Sequence, residues 1–364
     1  MATQTPAPTV PTLDPAAVAD FQTTLRNATR IVAVLGAGLS ASSGLPTYRG
    51  AGGLWRSHDV TTLDTKAAFL RDPGLVWKFY ASRRTAALAA SPNAAHVALA
   101  DLAKRVPGFV ALTQNVDDLS PRAGHPLAQL VQLHGNLFDL RCCDAVKCGY
   151  VERGNVRDPL VPALSADAED RRKNAATRDP ENPPKANVLL LEGIARKNRQ
   201  ILGDGYRDEA PTVADTASLR AVEGDKPSVV AAEILERSGI DPADLPRCPQ
   251  CGGASLLRPH VVWFGEGLPA DVVAEVDGLF AAPEPVDLCL VVGTSSQVWP
   301  AAGYAEQARK KGARIAVVNP DAGAAKNRRP GTDWLFQGDA AVVVPELLRP
   351  VIGGIEKLVQ EKSE

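Results

Sequence analysis

The stretch Ile31-Val32-Ala33-Val34-Leu35-Gly36-Ala37-Gly38-Leu39-Ser40 decides the fold. Five consecutive apolar residues, three of them β-branched, read as a strand covered on both faces, the form strands take inside a parallel sheet. Two glycines directly after it permit a tight turn and a close backbone approach to a pyrophosphate. Alone, the Gly-Ala-Gly is more often only a structural turn. A fingerprint for hydride-transfer cofactors would place a third glycine where Ala41 stands, and the next glycine is Gly44. It would also end a second strand on an acidic residue about twenty positions on. Asp59 and Asp64 lie near that distance, but Leu63 to Ala87 reads as helix, so that variant of the motif loses both supports.

Working outward, four more apolar runs end in small, polar or ionisable residues. Phe109–Leu112 runs into Thr113-Gln114-Asn115-Val116-Asp117, and Leu130–Leu133 into His134-Gly135. Leu288–Val292 runs into Gly293-Thr294-Ser295-Ser296, and Ile315–Val318 into Asn319-Pro320. Helical stretches such as Pro92–Lys104 and Ala301–Lys311 separate the runs, which is the alternation of a doubly wound α/β domain. Such sheets bind ligands at the carboxyl ends of their strands, so the five ends are expected to line one crevice. Any one polar strand end is ordinary. Gln-Asn-x-Asp together with His-Gly is not.

At 364 residues and 45% hydrophobic content, the chain can bury one large core plus a smaller module. A net charge of −2 offers no global field for nucleic acid or an anionic membrane, and direct binding to either is not expected. No apolar run approaches the roughly 20 residues that span a bilayer. Residues 1–20 contain no Lys or Arg and lack both a secretory apolar core and an Arg-rich presequence, so they read as a disordered tail. The protein is expected inside the cell, in cytoplasm or nucleus. The sequence says nothing of its oligomeric state.

Of six cysteines, Cys289 falls within an apolar strand and reads as a small buried residue. Cys248-Pro249-Gln250-Cys251-Gly252-Gly253 is a zinc-knuckle pattern, and Cys142-Cys143 with Cys148 is its partner cluster. Cys142, Cys148, Cys248 and Cys251 are the expected ligands of a structural zinc, with Cys143 in reserve. A disulfide is disfavoured inside cells, and a redox Cys-x-x-Cys lacks its strand-to-helix turn. Between the clusters, residues 153–246 are rich in Asp, Glu, Arg, Ala and Pro and read as an insertion, with an amphipathic helix only at Val188–Leu202. The expected division is 21–140 with 256–350 as the ligand-binding domain and 141–255 as the zinc module. Residues 351–364 read as a second tail.

In order along the chain, Gly36-Ala37-Gly38-x-Ser40, Ser43-Gly44-x-Pro46-x-x-Arg49-Gly50, Thr113-Gln114-Asn115-x-Asp117, His134-Gly135, the two cysteine clusters, Val261-Val262-x-Phe264-Gly265-Glu266 and Gly293-Thr294-Ser295 resemble the sirtuins, NAD-dependent protein-lysine deacylases. The likeness runs from about Leu25 to Leu348 apart from the insertion. It implies a Rossmann-like domain and a small zinc module, with NAD and an acylated lysine of a protein meeting in a cleft.

By that resemblance Asn115 and Asp117 hold the nicotinamide carboxamide, Gln114 contacts the ribose, and His134 is the general base toward a ribose hydroxyl. An unperturbed histidine is mostly neutral at cell pH, as a base must be. Gly36, Ala37, Gly38, Ser40, Gly293, Thr294, Ser295 and Asn319 are implied in binding phosphates, ribose or adenine, and Tyr48 and Arg49 in the loop closing over the cofactor. Val262, Phe264, Gly265 and Glu266 are implied in pairing with an extended substrate peptide. The implied products are nicotinamide, an O-acyl-ADP-ribose and free lysine.

Tyr80 and Arg83, three apart on a helix, share a face where a hydroxyl and a guanidinium can hold a carboxylate. On a helix such an Arg is more often a solvated side chain, but a Tyr-x-x-Arg at this place resembles class III sirtuins, which remove succinyl, malonyl and glutaryl groups. That class also suggests mitochondria. Three residues depart from the pattern: Tyr48 for a phenylalanine, Asp64 for a small residue beside the acyl pocket, and Ser120 for a histidine. The nearest alternative is a plain deacetylase. A mono-ADP-ribosyltransferase, a non-catalytic zinc scaffold and a dehydrogenase stand further off.

Overall fold

The computed structural model describes residues 13–47, 54–55, 58–144, 146–165 and 238–354. Tyr48, Arg49 and the Val188–Leu202 helix lie outside the described residues. The chain divides into two compact units, one of residues 1–54, 86–137 and 261–364 and the other of 55–85 and 138–260. In chain order the strands of the two larger sheets are β1 (Arg30–Leu35), β2 (Gly108–Thr113), β3 (Leu130–Gln132), β4 (Gly135–Cys142), β5 (Val151–Glu152), β6 (Leu257–Val261), β7 (Leu288–Val292), β8 (Arg314–Asn319) and β9 (Trp334–Gln337). The main helices are α1 (Pro15–Asn27), α2 (Pro73–Ala89), α3 (Ala94–Arg105), α4 (Ala270–Ala281), α5 (Ala301–Lys310) and α6 (Ala340–Ile352).

The first unit is a six-stranded parallel sheet in the order β9-β8-β7-β1-β2-β3. Alternate residues of β1 feed two cores. Ile31, Ala33 and Leu35 join Phe21 and Leu25 of α1, Leu99 of α3 and Val343 and Leu347 of α6. Val32 and Val34 join Val276 and Phe280 of α4 and Tyr304 of α5. Continuous burial of Ile31–Leu35 is therefore the physical content of its unbroken apolar run. Numbered among themselves, the six strands lie 3-2-1-4-5-6, with the order reversing between β1 and β7. That reversal opens a crevice at the carboxyl ends, the place where doubly wound sheets take dinucleotides.

Strand β9 is an addition to the five expected strands. Its apolar stretch Trp334-Leu335-Phe336 is only three residues long, too short for the sequence pattern to single out. It is anchored by Phe21, whose ring meets Trp334 at 5.3 Å and Phe336 at 5.4 Å, both edge-on.

The second unit carries a three-stranded sheet, β5-β4-β6, with β4 and β5 antiparallel. Helix α2 belongs here through its first thirteen residues. The indole of Trp77 donates to the Leu257 carbonyl at 3.0 Å, and the fully buried Arg84 donates to the carbonyls of Asn155 and Arg157 at 2.6 and 3.0 Å. Segment 55–85 thus groups with the cysteine-bearing residues, a grouping that its helical pattern alone did not reveal.

Candidate active site

The glycine turn after β1 abuts the turn after β7. A Cβ on Gly36 would fall 2.6 Å from the Thr294 Cβ, and one on Gly38 2.7 Å from the Gly293 Cα. The turns are stitched by Gly36 N–H to the Val292 carbonyl at 2.9 Å and Gly38 N–H to the Gly293 carbonyl at 2.8 Å. The amides of Leu39 and Ser40 donate back to Gly36 and Ala37. The glycines are therefore needed for two loops to touch, a reason different from the expected approach of their amides to a pyrophosphate.

Ser40, 2% exposed, is a hub. Its hydroxyl donates to Asp117 Oδ2 at 2.6 Å and accepts from Asn115 Nδ2 at 3.3 Å. His96 Nε2 lies 3.3 Å from the same oxygen. His96 Nδ1 accepts the Asn93 amide in the capping box that starts α3, which leaves the proton on Nε2, directed at Ser40. A hydroxyl that donates once and accepts twice is saturated, so the Ser40 side chain serves to fix Asn115 and Asp117. Asn115 Nδ2 also donates to the Gly36 carbonyl at 3.1 Å, and Asp117 Oδ1 accepts the Leu119 amide at 3.0 Å. Asp118 turns the chain through the left-handed region at φ 64°, and its carboxylate accepts from Asn136 at 2.9 Å.

His96 is a functional residue that the sequence reading does not single out. It is 1% exposed, and burial holds its pKa down at about 4 against the pull of Asp117. The histidine of an Asn-x-x-His capping box was the available local signal. Its contact with Ser40, 56 residues away, was not.

His134 follows β3. Its Nδ1 lies 3.1 Å from the Gln114 carbonyl, an acceptor only, so Nδ1 carries the proton and Nε2 keeps its lone pair. Burial lowers its pKa below the ordinary value, against the raising effect of that carbonyl, so the ring is neutral at pH 7. Gln114 Nε2 in turn donates to Thr294 Oγ1 at 3.0 Å, and Asn319 Nδ2 donates to the Thr294 carbonyl at 2.9 Å. Gln114, Asn115, Asp117, His134, Thr294, Ser295 and Asn319 all stand at the carboxyl edge of one sheet. For NAD the fit lies in this location and in these polar side chains, since the loop amides described above are engaged with each other.

Beyond His134, the Val262 amide donates to the His134 carbonyl at 2.9 Å, and Glu266 accepts the Trp263 amide at 3.0 Å. Phe264 is 40% exposed and Gly265 adopts φ 84°. In the second unit Tyr80 is buried and bonded to Asp64, while Arg83 is half-buried with its guanidinium 5.3 Å from the Phe79 ring centre.

The thiols of Cys142, Cys148, Cys248 and Cys251 all lie within 4.8 Å of one another. Two sulfur pairs stand at 3.8 Å (Cys142–Cys251) and 3.7 Å (Cys148–Cys248). A tetrahedron with zinc–sulfur bonds of about 2.3 Å has edges of about 3.8 Å, so the four residues fit zinc. Four thiolates leave no open position, as a structural rather than catalytic ion requires. Cys143 is outside the cluster; its amide donates to the Leu256 carbonyl at 3.0 Å.

Comparison with known proteins follows the same lines. The family model described as Sir2 family matches residues 36–164 and 224–300. An NAD-dependent protein deacylase of Candida albicans is 39% identical over 92% of this chain and 98% of its own. The NAD-dependent protein deacylase sirtuin-5, mitochondrial, of the dog is 36% identical over 92% of this chain and 85% of its own. A crystal structure of a Sir2 homologue–NAD complex superposes with a TM-score of 0.62 at 29% identity, over 92% of this chain and 93% of that one.

Proposed function

Since the chain belongs to the Sir2 family, we propose how its residues carry out the NAD-dependent removal of acyl groups from protein lysines. NAD, consumed in the reaction, supplies the ribose carbon that accepts the acyl oxygen, so that, with one water consumed in releasing the amine, nicotinamide, O-acyl-ADP-ribose and free lysine result. An amide oxygen is a weak nucleophile, and positioning with exclusion of water must lower the barrier. Asn115 and Asp117, locked by the saturated Ser40 hydroxyl and the Gly36 carbonyl, hold the nicotinamide carboxamide without having to reorganise. Gln114 orients the ribose. His134 takes a proton from a ribose hydroxyl at Nε2.

The observation that carries the reading is the His134 tautomer. Its Nδ1–H is spent on the Gln114 carbonyl and its ring is neutral, which is the state of a base and not of an acid. Gly36, Ala37, Gly38, Gly293, Thr294, Ser295 and Asn319 form the rest of the NAD site in this reading, to which the family resemblance adds Tyr48 and Arg49. In this reading the unit of residues 1–54, 86–137 and 261–364 holds NAD, and the unit of 55–85 and 138–260 holds zinc through Cys142, Cys148, Cys248 and Cys251. The exposed Phe264 and the turn at Gly265 suit Val262–Glu266 to pairing with a substrate backbone.

We further read the preferred acyl groups as acidic, succinyl, malonyl or glutaryl, from Tyr80 and Arg83 on one face of α2. Zinc-binding thiolates require a reducing compartment, so an intracellular location is proposed. The dog relative's name places that protein in mitochondria. Among the described residues no helix is long and apolar enough to cross a membrane.

Mass spectrometry of one peptide carrying acetyl, malonyl, succinyl or glutaryl lysine, with and without NAD, tests the activity. Turnover of at least one form with NAD is expected, and its loss in His134→Ala. Survival of all four acyl groups refutes the reading.

A further inference from the structure

The side-chain amide of Asn136, 7% exposed, donates to Asp118 Oδ1 at 2.9 Å. Asp118 directly follows Asp117, and Asn136 stands two residues after His134, across a Gly135 at φ 81°. Asp118 itself turns at φ 64°, a conformation that Asp and Asn tolerate better than other side chains and that the surroundings must hold in place. We infer that Asp118 and Asn136 are a positioning pair, setting the base His134 at a fixed offset from the carboxamide holders Asn115 and Asp117. The inference rests on the roles proposed for those three residues.

The two loops are anchored differently. Asn115 and Asp117 are held from the β1 side, by the Gly36 carbonyl and the Ser40 hydroxyl, independently of the His134 loop. The His134 loop is held against residues 113–118 by a ladder. The Leu133 amide donates to the Thr113 carbonyl and the Leu137 amide to the Val116 carbonyl, both at 2.9 Å, with His134 Nδ1–H on the Gln114 carbonyl between them. The His134 carbonyl accepts the Val262 amide in addition. Glycine at 135 interrupts the ladder with the most pliable residue type, and the Asn136–Asp118 bond adds a side-chain rung just beyond it. A hydrogen bond to a carboxylate is stronger than one between neutral groups, and a nearly buried amide that loses its acceptor is destabilised where it stands. Breaking this rung lets the base shift while the nicotinamide end stays held. Cleavage of nicotinamide needs the first loop; removal of the ribose proton needs both in register.

The test uses full-length protein with Asp118→Gly, Asn136→Ala, the double variant and Asp118→Asn. Glycine removes the carboxylate and keeps the left-handed turn; asparagine keeps the turn and an acceptor oxygen. Two rates are measured on one acylated peptide: deacylation, and exchange of labelled nicotinamide into NAD, which reports reversible cleavage without the later proton transfer. The ratio of deacylation to exchange is expected to fall about tenfold in each single variant, to fall no further in the double, and to return to within about threefold of the parent in Asp118→Asn. A merely structural role would lower both rates together, through the fraction folded, and leave the ratio where it was. An unchanged ratio in both single variants, or losses that multiply in the double variant, overturns the pairing and leaves the proposed roles standing. If His134→Ala deacylates at the parental rate, or the parent shows neither rate, those roles fail and the inference with them.

Discussion

Replacing Gly38 by alanine perturbs the contact on which the candidate active site rests. The new Cβ would meet the Gly293 Cα at 2.7 Å and the Gly293 carbonyl oxygen at 2.8 Å, against ordinary contact from 3.4 Å. The obstructing atoms are backbone, so no side-chain rotation relieves the clash, and the two turns must separate by about 0.7 Å. Overpacking of this kind costs about 1–3 kcal/mol, which the stiffening of the unfolded chain by alanine offsets by only about 0.4–1 kcal/mol. Melting is expected to fall by a few degrees, at about 2–4 °C per kcal/mol in a domain of this size. The same displacement moves the Gly36 carbonyl and Ser40, both bonded to Asn115. A misplacement approaching 1 Å is expected to cut kcat/KM by roughly 10–100-fold. Gly278→Ala is the control: it is exposed on α4 with nothing within 4 Å of its Cβ, and should gain up to about 1 kcal/mol. Scanning calorimetry and NAD-dependent deacylation on both variants decide the matter. A Gly38→Ala protein with parental melting and parental kcat/KM would refute the reasoning.

Further outcomes are expected. Burial lowers the pKa of His96, His125 and His134, so as pH falls below the unfolded value of about 6.5 the unfolded chain takes up protons that the folded chain refuses. Stability should decline from pH 6.5 toward the His96 value of about 4, and a melting temperature flat between pH 6.5 and 5 would contradict this. Cys248→Ser should lose bound zinc by elemental analysis and lower the melting temperature, whereas Cys143→Ser should retain the metal. Equal metal loss in both would displace Cys142 from the ligand set.

The strands that end in chemistry were legible because continuous apolar runs bounded by glycine report burial on both faces, a local property. Strand β9 was not, because its three-residue apolar stretch gains its environment from Phe21, more than 300 residues earlier. The choice between Cys142 and Cys143 depended on strand phase. Neighbouring residues at the end of β4 point to opposite sides, and only the paired sheet says which side holds the other sulfurs. Segment 55–85 read as helix, but its grouping with the cysteine-bearing residues comes from Trp77 and Arg84 reaching carbonyls far along the chain.

By itself the sequence determined the residue types at the strand ends, the thiol spacing and the alternation of strand and helix, all consequences of periodicity and local chemistry. Only the tertiary structure decided the strand order that brings the turn after β1 against the turn after β7. It alone made Ser40 a saturated hub shared by Asn115, Asp117 and His96, fixed the His134 tautomer, and committed the Tyr80 hydroxyl to Asp64. Each of these depends on partners distant in sequence, and packing and hydrogen-bond saturation are properties of the assembled neighbourhood rather than of any one segment.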